Sequence, residues 1–401
     1  MRRSAPLRHL LGAGLALALA LPPFGAAADE GERLFTRSCG ICHSLDRPRS
    51  KRWDEAKWRE AVERMRSYGA QISPEQAGEI VEFLARTAGP TVPEAGSAPV
   101  AAAPGAVGAV ARAAVVHEDS GDVWVLDTTS GDVLGKVKVG KLPHGLAVSP
   151  DGRTLYVTNM GSDDITVIDL ARLTASRMGG TGRNPHEAAV SPDGRFLYVS
   201  NASSASVTVH DMARHASVAR IRVGRFPHGI AIAPDGKAVY VANMDSASIS
   251  VIDTRTHRVV ATIKTPAGPH RVEVSPDGTR LFVVAADADR LVVIDARRRE
   301  VLRAIPVGKE PYAMALTADG GVWVAAAAGK TVELVDPQAG VVNQRIPLPG
   351  HPHDVALTPD GTTLWVADVD RNRVYLVDTG GGAVTTAIPV GQRPHLIRLL
   401  P

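Results

Sequence analysis

A strand-like segment ending in aspartate returns along this chain at a nearly constant interval. It closes at Asp127, Asp169, Asp211, Asp253, Asp295, Asp336 and Asp378, so successive copies lie 42, 42, 42, 42, 41 and 42 residues apart. A fixed period of this length marks a supersecondary unit that cannot bury its own hydrophobic surface and must be covered by its neighbours. Each full copy holds four apolar runs of strand length, in one of them at 229–233, 238–242, 248–253 and 259–264. The first two are joined by Pro234-Asp235-Gly236, a tight turn in which glycine supplies the positive φ. Four short strands per 42 residues make a propeller blade, and seven copies predict an all-β seven-bladed propeller over 113–401. The chain enters at 113–116 without a first strand and has one to spare at 396–400. The C-terminal strand is therefore expected to pair into the N-terminal blade as its innermost member, which removes the free edge of an open array.

Laying the copies over one another exposes a second regularity. Ahead of each innermost strand the chain reads Pro-His, at His144, His186, His228, His270, His353 and His395, with Tyr312 in the same place in the fifth copy. The following position has drifted: Gly145, Glu187, Gly229, Arg271, Ala313, Asp354, Leu396. His117 falls where other copies carry Asn159, Asn201 or Asn243, at the end of a second strand, and is an eighth candidate. Neutral imidazoles converging on one mouth of a central channel are good ligands for copper, iron or zinc. Against this stands plain duplication: an imidazole can bond a neighbouring blade's carbonyl, and proline presets the turn without any chemistry. Lys141, Arg183, Arg225 and Lys309 stand three residues upstream of the ring, and Arg393 two upstream of His395. On one face they form either an electropositive collar suited to a small oxyanion or the carboxylates of a macrocycle, or a solvated rim of ordinary bases. The aspartates after the third strands, such as Asp169 and Asp253, read as turn residues.

The segment ahead of the array carries different chemistry. Cys39-Gly40-Ile41-Cys42-His43 is a C-x-x-C-H run, the spacing of covalent c-type haem attachment, with both thiols forming thioethers and His43 the proximal ligand. The chain has only these two cysteines, so no second pair exists to complete a zinc site. A redox dithiol would need a βαβ context, which is missing here. Residues 31–39 read as a short amphipathic helix bearing Leu34 and Phe35, a middle helix spans 58–65, and Ser73-Pro74-Glu75-Gln76 opens a third with a capping box and proline in its first turn. Ile80, Val81, Phe83 and Leu84 are its apolar stripe, and Gly89-Pro90 stops it. Met65 is the one methionine between 29 and 90, and no histidine accompanies His43 there, which makes Met65 the candidate distal ligand of the haem iron. A packing role is the alternative, since Trp58, Val62 and Met65 share one helix face, and Lys51 or Lys57 would then be the fallback ligand.

Residues 1–28 read as a secretory signal peptide: Arg2, Arg3 and Arg8, an apolar stretch from 10 to 21, and Ala26-Ala27-Ala28 ahead of a cut before Asp29. The apolar stretch is too short to span a bilayer and has no successor, so no membrane span is expected after cleavage. Loss of those three arginines takes the basic count from 45 to 42, equal to the 42 acids. A neutral mature chain argues against general nucleic-acid or membrane-surface binding. Residues 91–112, rich in alanine and proline, read as an extended linker between a small all-α domain at 29–90 and the propeller.

Segment 29–90 resembles a class I cytochrome c throughout, and its W-x-x-x-V-x-x-M stretch is similar to one in which the methionine is the ligand. Such cytochromes acquire haem outside the cytoplasm, so the resemblance and the leader agree on the periplasm. Tyr156-Val157-Thr158-Asn159 and Tyr240-Val241-Ala242-Asn243 make the array resemble the YVTN-type β-propellers, which keep the proline and vary the residue after it; the WD-repeat signature is absent. The layout is similar to that of the haem d1 nitrite reductases, which join a cytochrome c domain to an eight-bladed propeller. The histidine ring resembles those of nitrous oxide reductases and thiocyanate dehydrogenases, which hold copper clusters on seven-bladed propellers. This chain lacks the length and irregular insertions of all three.

The resemblances imply a periplasmic haem c oxidoreductase in which electrons pass between the haem and a second site on the ring, either copper or a haem d1-like tetrapyrrole. A soluble electron donor or acceptor protein would serve it, and the substrate would be a small inorganic nitrogen or sulfur species. The rival expectation is a non-enzymatic electron-transfer cytochrome whose propeller is a docking scaffold. No Ser/His/Asp triad with defined spacing and no phosphate loop occurs.

Overall fold

The computed structural model describes residues 54–67, 72–87 and 112–400. The expected signal peptide, the expected helix at 31–39, Cys39, Cys42, His43, Lys51 and residues 91–111 of the expected linker lie outside the described residues, while Arg112 already opens a strand.

Two helices precede the propeller among the described residues: α1 (Glu55–Ser67) and α2 (Pro74–Thr87). Asp54 starts α1, its carboxylate accepting from the Lys57 N–H at 2.8 Å. The capping box of α2 is formed in both directions: the Gln76 N–H donates to Ser73 Oγ at 3.2 Å, and the Ser73 N–H to Gln76 Oε1 at 2.9 Å. The helices pack through Trp58 and Val62 against Ile80, Val81, Phe83 and Leu84, with Met65 half-buried on that core and Lys57 exposed.

The repeat array folds into seven four-stranded antiparallel sheets. Blade one closes as the strand count requires: its innermost strand is the C-terminal Pro394–Leu400, hydrogen-bonded to Arg112–His117, with Val115 opposite Ile397. Blades two to seven start their innermost strands at Pro143, Pro185, Pro227, Pro269, Pro311 and Pro352. Blade four shows why sequence and fold agree. Along its second strand, Ala238–Asn243, Val239 and Val241 pack with blade three while Tyr240 and Ala242 pack with blade five. Alternate residues face opposite neighbours, and both neighbours are sheets. The inner strands therefore read as nearly continuous apolar runs, while the outermost strand leaves Val259 and Val260 exposed.

One departure from regular pairing recurs in every blade. In blade three Pro185 pairs with Asn201 and Ala188 with Val199, leaving His186 and Glu187 opposite Ser200 alone. Equivalent register shifts fall beside His395, His144, His228, His270, Tyr312 and His353. A β-bulge adds an unpaired residue and re-aims side chains. Here it presents the histidine position to the channel in each blade.

Candidate metal centre

The bulged residues meet as a closed ring. Going round, the side-chain ring centres are separated by 4.5 Å from His144 to His186, 4.6 Å to His228, 3.8 Å to His270, 4.8 Å to Tyr312, 5.2 Å to His353, 3.9 Å to His395 and 4.0 Å back to His144. The shortcuts from His144 to His228, 5.2 Å, and from His270 to His353, 6.3 Å, are shorter than an evenly spaced ring would have, so His186 and Tyr312 stand off an even circle. Each of the seven residues is between 3 and 9 % exposed.

The approach loops are held by main-chain bonds at matching positions. Two residues before the ring the backbone is left-handed at Leu142, Asn184, Phe226, Gly268, Glu310 and Arg393, an uncommon conformation for the non-glycine residues. Side chains from the preceding blade fix three of them: Asp163 accepts from the Asn184 N–H at 2.7 Å, Asp289 from Glu310 at 2.8 Å and Asn372 from Arg393 at 2.9 Å. Hydroxyls join adjacent blades. Thr158 donates to the His186 carbonyl at 2.5 Å, and Ser200 to the His228 carbonyl at 2.6 Å.

Four of the imidazoles, His144, His186, His228 and His395, are poised as neutral ligands. His270 Nδ1 lies 2.9 Å from the Tyr312 carbonyl and His353 Nδ1 lies 3.1 Å from the His395 carbonyl. A carbonyl only accepts, so Nδ1 carries a proton in both. Burial, followed by the charges of His270 and Arg271, pulls His144 down to about 3. Burial likewise holds His186, His228 and His395 well below the ordinary imidazole value. The coordinating atoms of His144, His186 and His228 lie within 4.8 Å of one another, a spacing that one metal ion can gather. The His144 ring feels a main-chain bond at His186, while Nδ1 of His186 and of His228 has no hydrogen-bond partner. Buried polar atoms are rarely left so without cause.

Charged residues line the channel beside this ring. The Arg271 guanidinium lies 3.2 Å from Asp354, 3.6 Å from Glu187 and 3.0 Å from Glu273. Asp354 also accepts from the Ile397 N–H at 2.8 Å and meets Arg398 at 3.3 Å. Burial opposes the Arg271 charge, but the carboxylates of Glu187, Asp354 and Glu273 outweigh it and raise its pKa. Burial pushes Glu187 up, against the pull of Arg271. The space between the imidazoles and these charges is about 10 Å³, room for about one water-sized body.

The other sequence candidates fall elsewhere. His117 does not join the ring. It takes the asparagine position as expected, but its imidazole is fully buried against Trp124 at 5.1 Å, with Nδ1 3.2 Å from Asp122. His117 stands opposite Pro394, one residue from His395, but its side chain is taken up by Trp124 and Asp122. The collar is of mixed sign. Lys141, Arg183, Arg225 and Lys309 are exposed, but Lys141 lines an outer cleft of about 890 Å³ between blades one and two, and Arg225 bonds the Asp245 carbonyl at 2.9 Å. Arg393 is held by Glu118 at 2.9 Å, and Glu310 follows Lys309 directly. Tyr312 donates to Glu310 at 3.0 Å. The turn assignment of Asp169 and Asp253 matches their bonds to main-chain N–H groups two and three residues on. Sequence reasoning missed His351, buried with Nδ1 3.7 Å from Asp370 and its ring 6.5 Å from Tyr312. The H-P-H run at 351–353 was its available signal.

Comparison with known proteins agrees with this architecture. No curated protein sequence matches the chain. Among solved structures, a chain of Kuenenia stuttgartiensis hydrazine synthase is similar at 28% identity and TM-score 0.58, over 63% of this chain and 88% of that one. A functionally unknown protein from Desulfotomaculum acetoxidans matches at 14% identity and TM-score 0.63, over 72% and 98%. The dihydro-haem d1 dehydrogenase NirN, in complex with DHE, matches at 20% identity and TM-score 0.58, over 92% and 98%. At such identities the last two are likenesses of fold. The family model described as YNCE-like beta-propeller covers residues 109–320, just over half of the chain, and the chain therefore belongs to the YNCE-like β-propellers.

Proposed function

We propose that this protein is a periplasmic redox protein in which the propeller ring binds one metal ion through His144, His186 and His228. The ion exchanges electrons with a c-type haem carried on Cys39 and Cys42, with His43 and Met65 as axial ligands. The observation that carries the reading is the neutral, buried three-imidazole cluster within 4.8 Å. Such a donor set suits copper, iron or zinc, and redox work selects the first two. The space between the imidazoles and the charged residues, about 10 Å³, has no room for a tetrapyrrole, so a haem d1-like group is not placed there. A redox role is supported by the similarity to a hydrazine synthase chain, by its name an enzyme of small nitrogen chemistry. Small inorganic nitrogen or sulfur species are the substrate class in keeping with that likeness, and a soluble electron-carrier protein completes the circuit.

The near-complete burial of the ring favours a second reading, an electron-transfer centre that meets no substrate. Elemental analysis of protein purified from its periplasm tests both. Metal beyond one iron per chain, lost in the His144→Ala/His228→Ala double variant, is the expected result. One iron alone, with an ordinary c-type visible spectrum, overturns the metal site. Metal present without any small-molecule turnover leaves the electron-transfer reading.

A further inference from the structure

We infer that Glu187 is a positioning residue of the metal centre, orienting His228 and neutralising part of the ion's charge, and that Arg271 and Asp354 hold it in place across the channel. This rests on the metal-site reading above. Ligating imidazoles characteristically turn their second nitrogen toward a carbonyl or a carboxylate, which fixes the ring and tunes the metal. Two members of the ring already follow this rule through carbonyls, His270 to Tyr312 and His353 to His395. His228 differs. Its Nδ1 has no hydrogen-bond partner, and the nearest carboxylate oxygen is Glu187 Oε1 at 3.8 Å, one small adjustment from a hydrogen bond.

Glu187 reaches this place through the bulge, which sets it beside His186 opposite Ser200, with its main-chain N–H donating to Ser200 Oγ at 3.0 Å. A buried carboxylate needs a partner. Arg271, from blade five, supplies it at 3.6 Å and is itself anchored by Asp354 of blade seven at 3.2 Å and Glu273 at 3.0 Å. Asp354 in turn accepts from Ile397 of the C-terminal closing strand. Blades three, five, seven and one thus share one ionic brace, and its free end points at a candidate ligand. Of the two carboxylates that bracket Arg271 on the blade-three and blade-five strands, only Glu187 meets an imidazole in this way; Glu273, one-third exposed, contacts the guanidinium alone.

The test uses the full chain loaded with Cu(II) as probe, reading affinity by competition with a chelator and ligand geometry by electron paramagnetic resonance. Glu187→Gln keeps shape and removes charge. It is expected to weaken Cu(II) binding roughly ten- to a hundredfold and to change the copper hyperfine splitting. Glu273→Gln, which disturbs the same arginine, should leave both unchanged. Unaltered splitting in Glu187→Gln overturns the inference, as does an equal change in both variants, which would make the brace purely structural. A wild-type chain that takes up no metal overturns the parent reading as well, and is told apart because it fails before any variant is compared.

Discussion

Consecutive residues on the same seven strands build two contrasting layers in the channel. The first is repetitive and holds no carboxylate or guanidinium: six imidazoles and one phenol, each in the same place on its blade, tilted ring against ring. The second, from the very next positions and their neighbours, is unrepeated and ionic, with Glu187, Arg271, Asp354 and Arg398 each occurring once. Electrostatics accounts for the contrast. Around a closed axis every copy of a residue faces the others, and like charges in a low dielectric repel strongly. A symmetric position can repeat only where most copies stay neutral, and burial holds His144, His186, His228 and His395 below the ordinary imidazole value. A charged layer must instead alternate sign, so the blades have to diverge there.

Removing Asp354 from the ionic layer should have the largest effect. Asp354→Ala takes one counter-ion from each of two arginines and an acceptor from the Ile397 N–H on the strand that closes the propeller. Breaking a buried pair from one side costs about 3–5 kcal/mol. Urea unfolding is expected to show a loss of that size, and a loss under about 1 kcal/mol would mean the layer is wet and its charges independent.

Acid should separate the layers next. His144, His186, His228 and His395 have folded-state values below their unfolded one, so the unfolded chain binds more protons below the ordinary histidine range. Their contribution is complete above about pH 6.5 and is lost as the pH falls, for His144 down to about 3. Each such imidazole contributes a slope of about 1.4 kcal/mol per pH unit in that window. Asp122, held at about 2 because bonds from His117, Lys138 and Ser120 outweigh burial, acts in the same direction only below the ordinary carboxylate range. The metal-free protein should therefore lose thermal stability between pH 6 and 4, and saturating metal should protect it by binding the native form alone. A flat melting temperature across that range would show the ring to be hydrated.

The two layers also differed in how far they could be read beforehand. Seven-fold closure, the pairing of the C-terminal strand and the meeting of the histidines follow from period and from pattern 2 alternation, because any residue that recurs with the blade must recur in space. The capping box at Ser73 was legible for the same local reason. The drifted positions were visible as a set, Glu187 and Arg271 among them, yet their pairing was not, since nothing in a linear order says which blades face each other across a channel. His117 misled because repeat position fixes a strand end and not the reach of its side chain. The basic collar stayed open between two readings because Glu118 and Glu310 are acids that do not recur in the other copies, so a comparison of copies passes over them.

Exchanging the one odd member of the neutral layer should do least. Tyr312→His completes the set of imidazoles at the cost of the hydrogen bond to Glu310, a change of about 1 kcal/mol or less. Tyr312 sits between His270 and His353, away from the His144–His186–His228 arc that gathers a metal. Metal content measured on this variant should therefore stay at the wild-type value, with the copper signal of the arc unchanged. If a second ion enters, the seven positions act as one continuous ligand belt, and Tyr312 serves to cap its nuclearity. The contrast between the layers would then lie in what the neutral ring excludes as much as in what it holds.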